Sequence, residues 1–233
     1  MFGRSRPTRP THDAEVIAVT PLTSTLVRLT STGPTLPGLG IEHPTQWVKL
    51  AIPEGHSRAY TIRHHRPEQH EVDIDIVLHG NGPLARWASI AGPGDRARLA
   101  GPSGRYSPLD GATHLLLAAD ESALPAALTI LEQLPPTVRV SAYVEIAAPA
   151  DTLPIATRAD LTTIRLPRNG SPKGRLLTDA VLTASPDPQA AWLAGESTAV
   201  TTIRRHLLDT CGYPRELVQA KGYWKQGEAD HKG

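Results

Sequence analysis

The sequence predicts two domains, an antiparallel β-barrel followed by an α/β domain with a doubly wound parallel sheet. In the first half, short runs rich in Val, Ile, Thr and Tyr are separated by turn formers such as Thr32-Gly33-Pro34 and Pro53-Glu54-Gly55. From about Ala112 onward, continuous apolar runs alternate with segments of helical periodicity. The predicted boundaries are 1–108 for the barrel domain and 109–233 for the α/β domain.

Six short strands and one helix are predicted for the barrel. The strands are Glu15–Leu22, Thr25–Thr32, Gln46–Ile52, Arg58–His64, Glu71–His79 and Arg96–Ala100, and the helix is Pro83–Ile90. Short strands with regular turn signals favour a small closed barrel. In the run from Glu71, apolar residues alternate with Glu71, Asp73 and Asp75, which predicts one buried face and one wetter face.

The α/β half begins with the continuous apolar strand His114–Ala119, as expected when both faces of a strand are covered. A helix follows, for which we expect Ser122 as the N-cap and Pro125 in the first turn. The remaining predicted strands are Val138–Ile146, Leu161–Leu166 and Ala191–Ala194, and the remaining helices are Leu176–Thr183 and Thr198–Cys211. Cys211 falls on the apolar face of the last helix, so we expect it in the core. The connection from Leu166 to Arg175 reads as merely polar and rich in turn residues.

Composition narrows the function classes. With one cysteine the chain forms no internal disulfide, and no cysteine-based metal site or iron–sulfur cluster fits it. His64, His65 and His70 follow no ligand spacing, so we predict no metal site. The net charge of +1 does not indicate nucleic acid binding. No long apolar run or signal segment is present, so we expect a cytoplasmic protein away from membranes, and a monomer.

The segment Arg58-Ala59-Tyr60-Thr61-Ile62-Arg63 carries the chemistry that a flavin needs. On a strand, Arg58 and Tyr60 point to one face and Thr61 to the other. A cation can meet a pyrophosphate, an aromatic ring can stack on the isoalloxazine, and a hydroxyl or N–H can reach its redox-active nitrogen. An ordinary barrel strand with a surface arginine is the alternative interpretation.

A glycine-rich turn, His79-Gly80-Asn81-Gly82-Pro83-Leu84-Ala85, joins a predicted strand to a predicted helix. It follows a barrel strand and does not open a βαβ unit, so it is no dinucleotide fingerprint. Glycines let the backbone approach a ligand, and the N–H groups that open a helix bind phosphate. We therefore interpret it as a seat for the FAD pyrophosphate, with a tight structural turn as the alternative.

Six segments in order resemble one known family. They are Arg58–Arg63, Asp75–Gly80 with Gly82 and Trp87, Gly92–Asp95, Asp120–Ala126, Trp192–Glu196 and Gly222–Trp224. Together they resemble the siderophore-interacting protein family of FAD-binding ferric-siderophore reductases. The resemblance implies a ferredoxin-reductase-like architecture, with FAD held by the barrel and facing the α/β domain.

The resemblance also implies site residues. Those expected to contact FAD or its surroundings are Arg58, Tyr60, Thr61, Ile62, Arg63, Asp75, His79, Gly80, Gly82, Pro83, Leu84, Ala85, Trp87, Glu121, Ser122, Ala123, Tyr223 and Trp224. Glu121 and Glu196 orient backbone at the nucleotide side or cap helices. Because ferric siderophores are often anionic, cations are expected in the substrate pocket. Lys49 matches a family position associated with it, and Arg105 and Lys225 are candidates by placement, with solvated surface charges as the alternative. No catalytic acid, base or nucleophile is expected.

The predicted activity is reduction of a ferric siderophore by single electrons from reduced FAD, which releases Fe(II). The donor is NADH, NADPH or reduced ferredoxin, and ferredoxin would dock as a protein partner. The turn Ala119–Ala123 lacks the glycines usual in reductases that use NAD(P)H. Two alternatives remain open at this point: a general NAD(P)H:flavin oxidoreductase, and a redox-silent protein that binds flavin or siderophore.

Overall fold

The computed structural model describes residues 9–78, 82–106, 111–184 and 189–228. The chain forms two compact units. The first contains the residues up to Pro21 together with Leu26–Arg105, and the second contains Leu22–Thr25 together with the chain from Tyr106 onward. Within the second unit, the backbone N–H and the hydroxyl of Ser24 both donate to Asp151 Oδ1, at 2.9 and 2.5 Å.

The first unit is a closed antiparallel barrel of six strands, as predicted. The strands are β1 (Thr11–Pro21), β2 (Leu26–Thr32), β3 (Trp47–Ala51), β4 (Ser57–Arg66), β5 (Glu71–Val77) and β6 (Arg96–Ser103), and helix α1 (Pro83–Ile90) lies between β5 and β6. The order around the barrel is β1-β2-β5-β4-β3-β6. Alternate residues of these strands, among them Leu29, Val48 and Leu99, fill the interior.

Strand β5 departs from the predicted pattern, because its acidic residues are also buried. Asp73 and Asp75 are only 4% and 3% exposed. Arg66 donates two hydrogen bonds of 2.8 Å to the Asp73 carboxylate, and Arg28 binds Asp75 through two bonds of 2.7 and 2.9 Å. The prediction of a wetter face was therefore wrong. Arginines from neighbouring strands compensate the buried charges, which alternation along one strand does not reveal.

The second unit is an α/β fold with a five-stranded parallel sheet. Its strands are β7 (His114–Asp120), β8 (Arg139–Ile146), β9 (Asp160–Pro167), β10 (Ala190–Glu196) and β11 (Val218–Trp224), and its helices are α2 (Leu124–Leu131), α3 (Arg175–Thr183) and α4 (Ser197–Asp209). The sheet order is β11-β10-β7-β8-β9. Helix α2 packs on one face with Leu115 and Val140, whereas α3 and α4 pack on the other with Leu116 and Leu193. The doubly wound prediction is confirmed.

The strand order places a topological switch point between β7 and β10. From β7 the chain proceeds outward through β8 and β9, and it then returns to β10 and β11 on the other side of β7. In open α/β sheets, ligands bind outside the carboxyl ends of the strands at such a point. Asp120 and Glu196 are the last residues of the two strands that meet here.

Two local predictions in this unit were wrong. Ser122 is not the helix N-cap, since α2 begins at Leu124 after Ala123, and the Ser122 hydroxyl donates to Asp120 at 2.5 Å. Cys211 is exposed because α4 ends at Asp209, before the apolar spacing reaches the cysteine. No helix in the described parts of the chain has the length and apolar character needed to cross a membrane.

Candidate functional site

Strands β4 and β5 separate at the segment predicted to hold a flavin. Residues 57–61 of β4 pair with β3, and the ladder to β5 runs only from Ile62 opposite Ile74 to Arg66 opposite Glu71. All of β5 pairs with β2 on its other side, and residues 75–77 take no part in the ladder to β4. The ladder that joins β4 to β5 therefore begins only at Ile62, after the stretch that pairs with β3. Backbone N–H and C=O groups on that edge of β4 can serve a ligand.

The side chains of this segment divide between the two faces as predicted. Arg58 and Tyr60 lie opposite Leu50 and Val48, whereas Thr61 lies opposite Trp47. Tyr60 packs against the barrel core, and this burial raises the pKa of its phenol to about 12, against the opposing effect of the Arg58 charge. The phenol is neutral at physiological pH, so it offers an uncharged aromatic face.

Arg63 is a buried cation held next to this edge. Its side chain is 7% exposed, and its Nε lies 4.0 Å from Oδ2 of the fully buried Asp75. Arg28 engages both oxygens of the same carboxylate. Asp75, predicted as a cofactor residue, thus binds arginines, so its effect on a ligand would act through Arg63.

Helix α1 supplies the start of a helix close in sequence to β5. Gly82 is its N-cap and Pro83 its first residue, and Arg86 N donates to Gly82 O at 3.0 Å. Leu84 is a core residue at 2% exposure, whereas Pro83, Ala85 and Trp87 are half-buried. His79 and Gly80, the other residues predicted for this turn, lie outside the described residues.

These barrel features together fit a flavin dinucleotide. The separated edge of β4 supplies backbone groups, Tyr60 an aromatic ring, and Arg58 and Arg63 cations that suit a pyrophosphate. Proline at the start of α1 sets the helical geometry without the loss of a hydrogen bond. Cations, an aromatic ring and backbone groups are the kinds of group that a flavin dinucleotide can use.

In the α/β unit, Asp120 is the centre of a buried hydrogen-bond network. Its Oδ1 accepts from the N–H and hydroxyl of Ser122 and from Ala123 N, at 2.9, 2.5 and 3.3 Å. Its Oδ2 accepts from Glu196 N at 2.8 Å and Trp224 Nε1 at 2.9 Å. Burial raises the pKa of Asp120, although hydrogen bonds from Ser122 and Trp224 oppose that rise.

A second carboxylate network lies at the ends of β7, β8 and β9. Arg168 binds Glu121 through both terminal nitrogens, one at 2.7 Å, and also lies 3.4 Å from Glu145 Oε1. Glu145 is fully buried and accepts hydrogen bonds from Gly174 N at 2.7 Å and Leu177 N at 3.0 Å. Burial raises the pKa of Glu145, against those two hydrogen bonds and the Arg168 charge. Glu121 therefore holds an arginine, and the Leu166–Arg175 connection is not merely polar.

The carboxyl ends of β10 and β11 bring further predicted residues to this edge. Glu196 caps α4 by accepting from Ala199 N at 2.9 Å, which agrees with the capping alternative. The Nζ of Lys173 lies 5.0 Å from the ring centroid of Trp224, a cation–π distance. Tyr223 is partly buried against the core on the α2 side.

The three predicted substrate cations differ in their surroundings. Lys49 is exposed on β3, opposite Ala59 and therefore on the same face as Thr61. Arg105 is exposed just after β6. Lys225 forms an ion pair with Glu228, which raises the pKa of the lysine. Lys49 is the best placed of the three relative to the flavin segment.

Sequence reasoning missed Asp120, Glu145, Arg168 and Arg28 as organising residues. For Asp120 a signal existed, because it directly follows a continuous apolar strand in an α/β pattern, where ligand-facing residues gather. For Glu145 and Arg168 the sequence carried no such signal, since the partners of each residue are far away in the chain.

Comparison with known proteins gives this arrangement a family. Residues 112–227 match the family described as siderophore-interacting protein, and residues 54–106 match the siderophore-interacting FAD-binding domain. The chain belongs to the siderophore-interacting protein family. A siderophore utilization protein from T. fusca is 30% identical, with a TM-score of 0.87 over 98% of this chain and 97% of that one.

Other relatives set the scope of the likeness. Ferric vibriobactin reductase ViuB of Vibrio cholerae is 32% identical over 177 residues, which cover 73% of this chain and 65% of ViuB. The mycobactin import protein IrtA of Mycolicibacterium smegmatis is 30% identical over 228 residues, and the match spans 94% of this chain and only 26% of IrtA. A ferredoxin NADP+ reductase from Neisseria gonorrhoeae, 18% identical over 92% of this chain and 99% of that one with a TM-score of 0.68, shares the fold. The siderophore-interacting protein described here is thus ferredoxin-reductase-like in fold, with an FAD-binding barrel.

Proposed function

We propose that this protein is an FAD-dependent ferric-siderophore reductase that releases iron as Fe(II). The observation that carries the proposal is the separation of β4 from β5 beside Arg58, Tyr60 and Arg63. It is supported by the family match of that segment to a siderophore-interacting FAD-binding domain. The reductase named for ferric vibriobactin, at 32% identity, supports the choice of substrate class.

Residues of the barrel hold the cofactor in this proposal. Arg58 and Arg63, with the start of α1 at Gly82, bind the pyrophosphate through charge and backbone N–H groups. Tyr60 stacks on the ring, and Thr61 donates from its hydroxyl or backbone N–H to a ring nitrogen. When bound, FAD supplies single-electron transfer at its isoalloxazine edge. Asp75 keeps the Arg63 guanidinium in place.

Lys49 attracts the substrate. A ferric siderophore is often anionic, and an exposed cation on the face of Thr61 raises its local concentration beside the flavin segment. The hard oxygen ligands of a siderophore hold Fe(III) far better than Fe(II), so reduction loosens the metal. The chain needs to supply no ligand to iron. Arg105 contributes as a further exposed cation, and Lys225 less, because Glu228 neutralises it.

Further parts of the proposal concern the setting. Four residues of the α/β unit remain predicted neighbours of the flavin: Ser122, Ala123, Tyr223 and Trp224. The proposed domain limits are 1–108 and 109–233. The protein acts as a monomer in the reducing cytoplasm, consistent with one cysteine in the sequence. The electron donor is NADH, NADPH or reduced ferredoxin.

An anaerobic assay tests the activity. The purified protein is loaded with FAD, photochemically reduced, and mixed with a ferric siderophore and an Fe(II)-specific chelator. Return of the oxidised flavin spectrum in step with the Fe(II)–chelator colour is expected. Reoxidation by artificial acceptors, but not by ferric siderophores, would support a general flavin oxidoreductase. Failure to bind FAD at all would remove the proposal and favour a redox-silent binding protein.

A further inference from the structure

The α/β unit has the fold in which NAD(P)H ordinarily binds. In doubly wound sheets the pyrophosphate sits at the carboxyl edge, against free N–H groups at the start of a helix near the switch point. In this protein the relevant helices are α2, α3 and α4, which all begin at that edge. The partners of their opening N–H groups therefore decide whether a dinucleotide can bind.

Each of the three helix starts already has a carboxylate from the chain itself. Asp120 Oδ1 accepts from the N–H groups of Ser122 and Ala123 in the turn into α2. Glu145 accepts from Gly174 N and Leu177 N at the start of α3. Glu196 accepts from Ala199 N in the first turn of α4. At or beside each helix start, a carboxylate therefore already accepts from N–H groups that a phosphate could use.

The switch point itself is filled in the same way. Asp120, at the end of β7, bonds through Oδ2 to Glu196 N at the end of β10 and to the Trp224 indole at the end of β11. The side chain of Asp120 thus spans the crevice between the two central strands. Gly195 fits against it so closely that a Cβ at that position would lie 2.7 Å from the Asp120 carboxylate.

The charge at this edge also opposes a pyrophosphate. Asp120, Glu121, Glu145 and Glu196 are acidic, and among the described contacts Arg168 is engaged by Glu121 and Glu145. Lys225 is paired with Glu228, and Lys173 lies over the Trp224 ring. A pyrophosphate brought here would face acidic side chains in a medium that screens charge poorly, and the Arg168 guanidinium is already engaged by carboxylates.

We propose that Asp120, Glu121, Glu145 and Glu196 close the dinucleotide site of the α/β unit, so that this protein selects against NADH and NADPH as electron donors. The inference rests on the proposed flavin reductase function and names a property of its donor. NAD(P)H does not fit the residues at this edge. A donor without a pyrophosphate, such as a one-electron carrier protein, meets no such barrier.

Direct binding measurements test this without turnover. NADPH, NADH and 2′,5′-ADP are titrated calorimetrically into the full chain with and without FAD, at low salt, with a dinucleotide-dependent reductase as the positive control. We expect no saturable binding up to several millimolar, and anaerobic flavin reduction that rises linearly with NADPH concentration. A saturable isotherm for either dinucleotide would overturn the proposal. The photoreduced protein tests iron reduction without nucleotide, so the two proposals fail separately.

A matched pair of variants tests the cause. Asp120→Asn removes the charge and keeps a carbonyl oxygen, whereas Asp160→Asn removes an exposed charge at the start of β9, at the opposite edge of the sheet. We expect 2′,5′-ADP to bind Asp120→Asn at least about tenfold more tightly than Asp160→Asn. Equal binding would overturn the role of the carboxylates. If Asp120→Asn does not fold, Glu121→Gln serves in its place, since Glu121 is less central to the network.

Discussion

The indole Nε1 of Trp224 donates a hydrogen bond of 2.9 Å to Oδ2 of Asp120, 104 residues earlier in the chain. The bond joins the ends of β7 and β11, which flank β10 on opposite sides. Oδ2 also accepts from Glu196 N on the strand between them. One carboxylate therefore ties together the three strands at the switch point and fixes the orientation of an aromatic side chain there.

A double-mutant cycle on Asp120 and Trp224 tests the energy of this bond. A hydrogen bond to a charged group contributes about 1.5–3 kcal/mol, so Trp224→Phe is expected to lower the free energy of unfolding of the α/β unit by that order. With Asp120→Asn and the double variant, urea unfolding should give a coupling energy of about 1 kcal/mol or more. Additive losses would show that the bond contributes nothing of its own.

Asp75→Asn is expected to lower the free energy of unfolding of the barrel much more than the loss of an exposed charge does. The substitution leaves Arg63 and Arg28 without their shared carboxylate, and breaking a buried pair costs about 3–5 kcal/mol. Asp13→Asn is the control, because the ion pair of Asp13 with Arg98 is 83% and 64% exposed and contributes at most about 1 kcal/mol. The melting temperature and the FAD content should both be lower in Asp75→Asn than in the wild type. Equal melting temperatures in the two variants would contradict this ranking.

Acid should weaken the barrel through Asp73. Burial alone would raise the pKa of this carboxyl, but hydrogen bonds from Arg66, His64 and Thr30 outweigh it and hold the pKa well below its usual range. The carboxylate thus contributes stability that is present above the unfolded pKa of about 3.9 and is lost as pH falls below it.

The measurement is the free energy of unfolding against pH for the wild type and Asp73→Asn. The difference between them should be largest near neutral pH and shrink as the pH falls below about 4. Glu68→Gln, on an exposed turn, is the control and should follow the wild type. A difference that stays constant with pH would show that the ionised carboxylate is not what stabilises the barrel.

Lys49→Gln should slow reduction of anionic ferric siderophores. Loss of one charge near the docked substrate is worth about 1 kcal/mol in water, or about fivefold in kcat/KM, and the effect should fade with added salt. Lys225→Gln is the comparison, and its effect should be smaller because Glu228 already pairs with that lysine. Steady-state rates with an anionic and an uncharged ferric chelate distinguish an electrostatic role of Lys49 from a structural one. A loss that is equal for both chelates would argue against an electrostatic role.

The sequence predicts the elements well where a local pattern controls them. Helix α1 was predicted at its observed bounds, because proline sets its start and Gly92-Pro93-Gly94 follows its end. The apolar run of β7 was equally clear, since both faces of that strand are covered. Strand β11 was not predicted, because Gln219 and Lys221 give it no continuous apolar run and its pairing with β10 is what makes it a strand.

The candidate site was harder to predict where distant residues determine it. Arg58 to Thr61 lie on a regular stretch of one strand, so their faces follow from alternation, whereas Arg63 lies at a register shift that the sequence does not reveal. The burial of Asp75 depends on Arg28, which lies 47 residues earlier in the chain. The burial of Glu121 depends on Arg168, which lies 47 residues later. A local pattern shows that a residue is acidic, and only the assembled sheet shows which cation neutralises it.

The position of the four residues Leu22–Thr25 limits how the α/β unit can be exchanged between related chains. They lie between two barrel strands in sequence and yet belong to the α/β unit, where Ser24 satisfies Asp151. A fragment that starts at Tyr106 would leave that carboxylate without two of its donors. The α/β unit is therefore no interchangeable module, and a recombination event that imported one from a relative would have to replace a short β-hairpin turn in the same step.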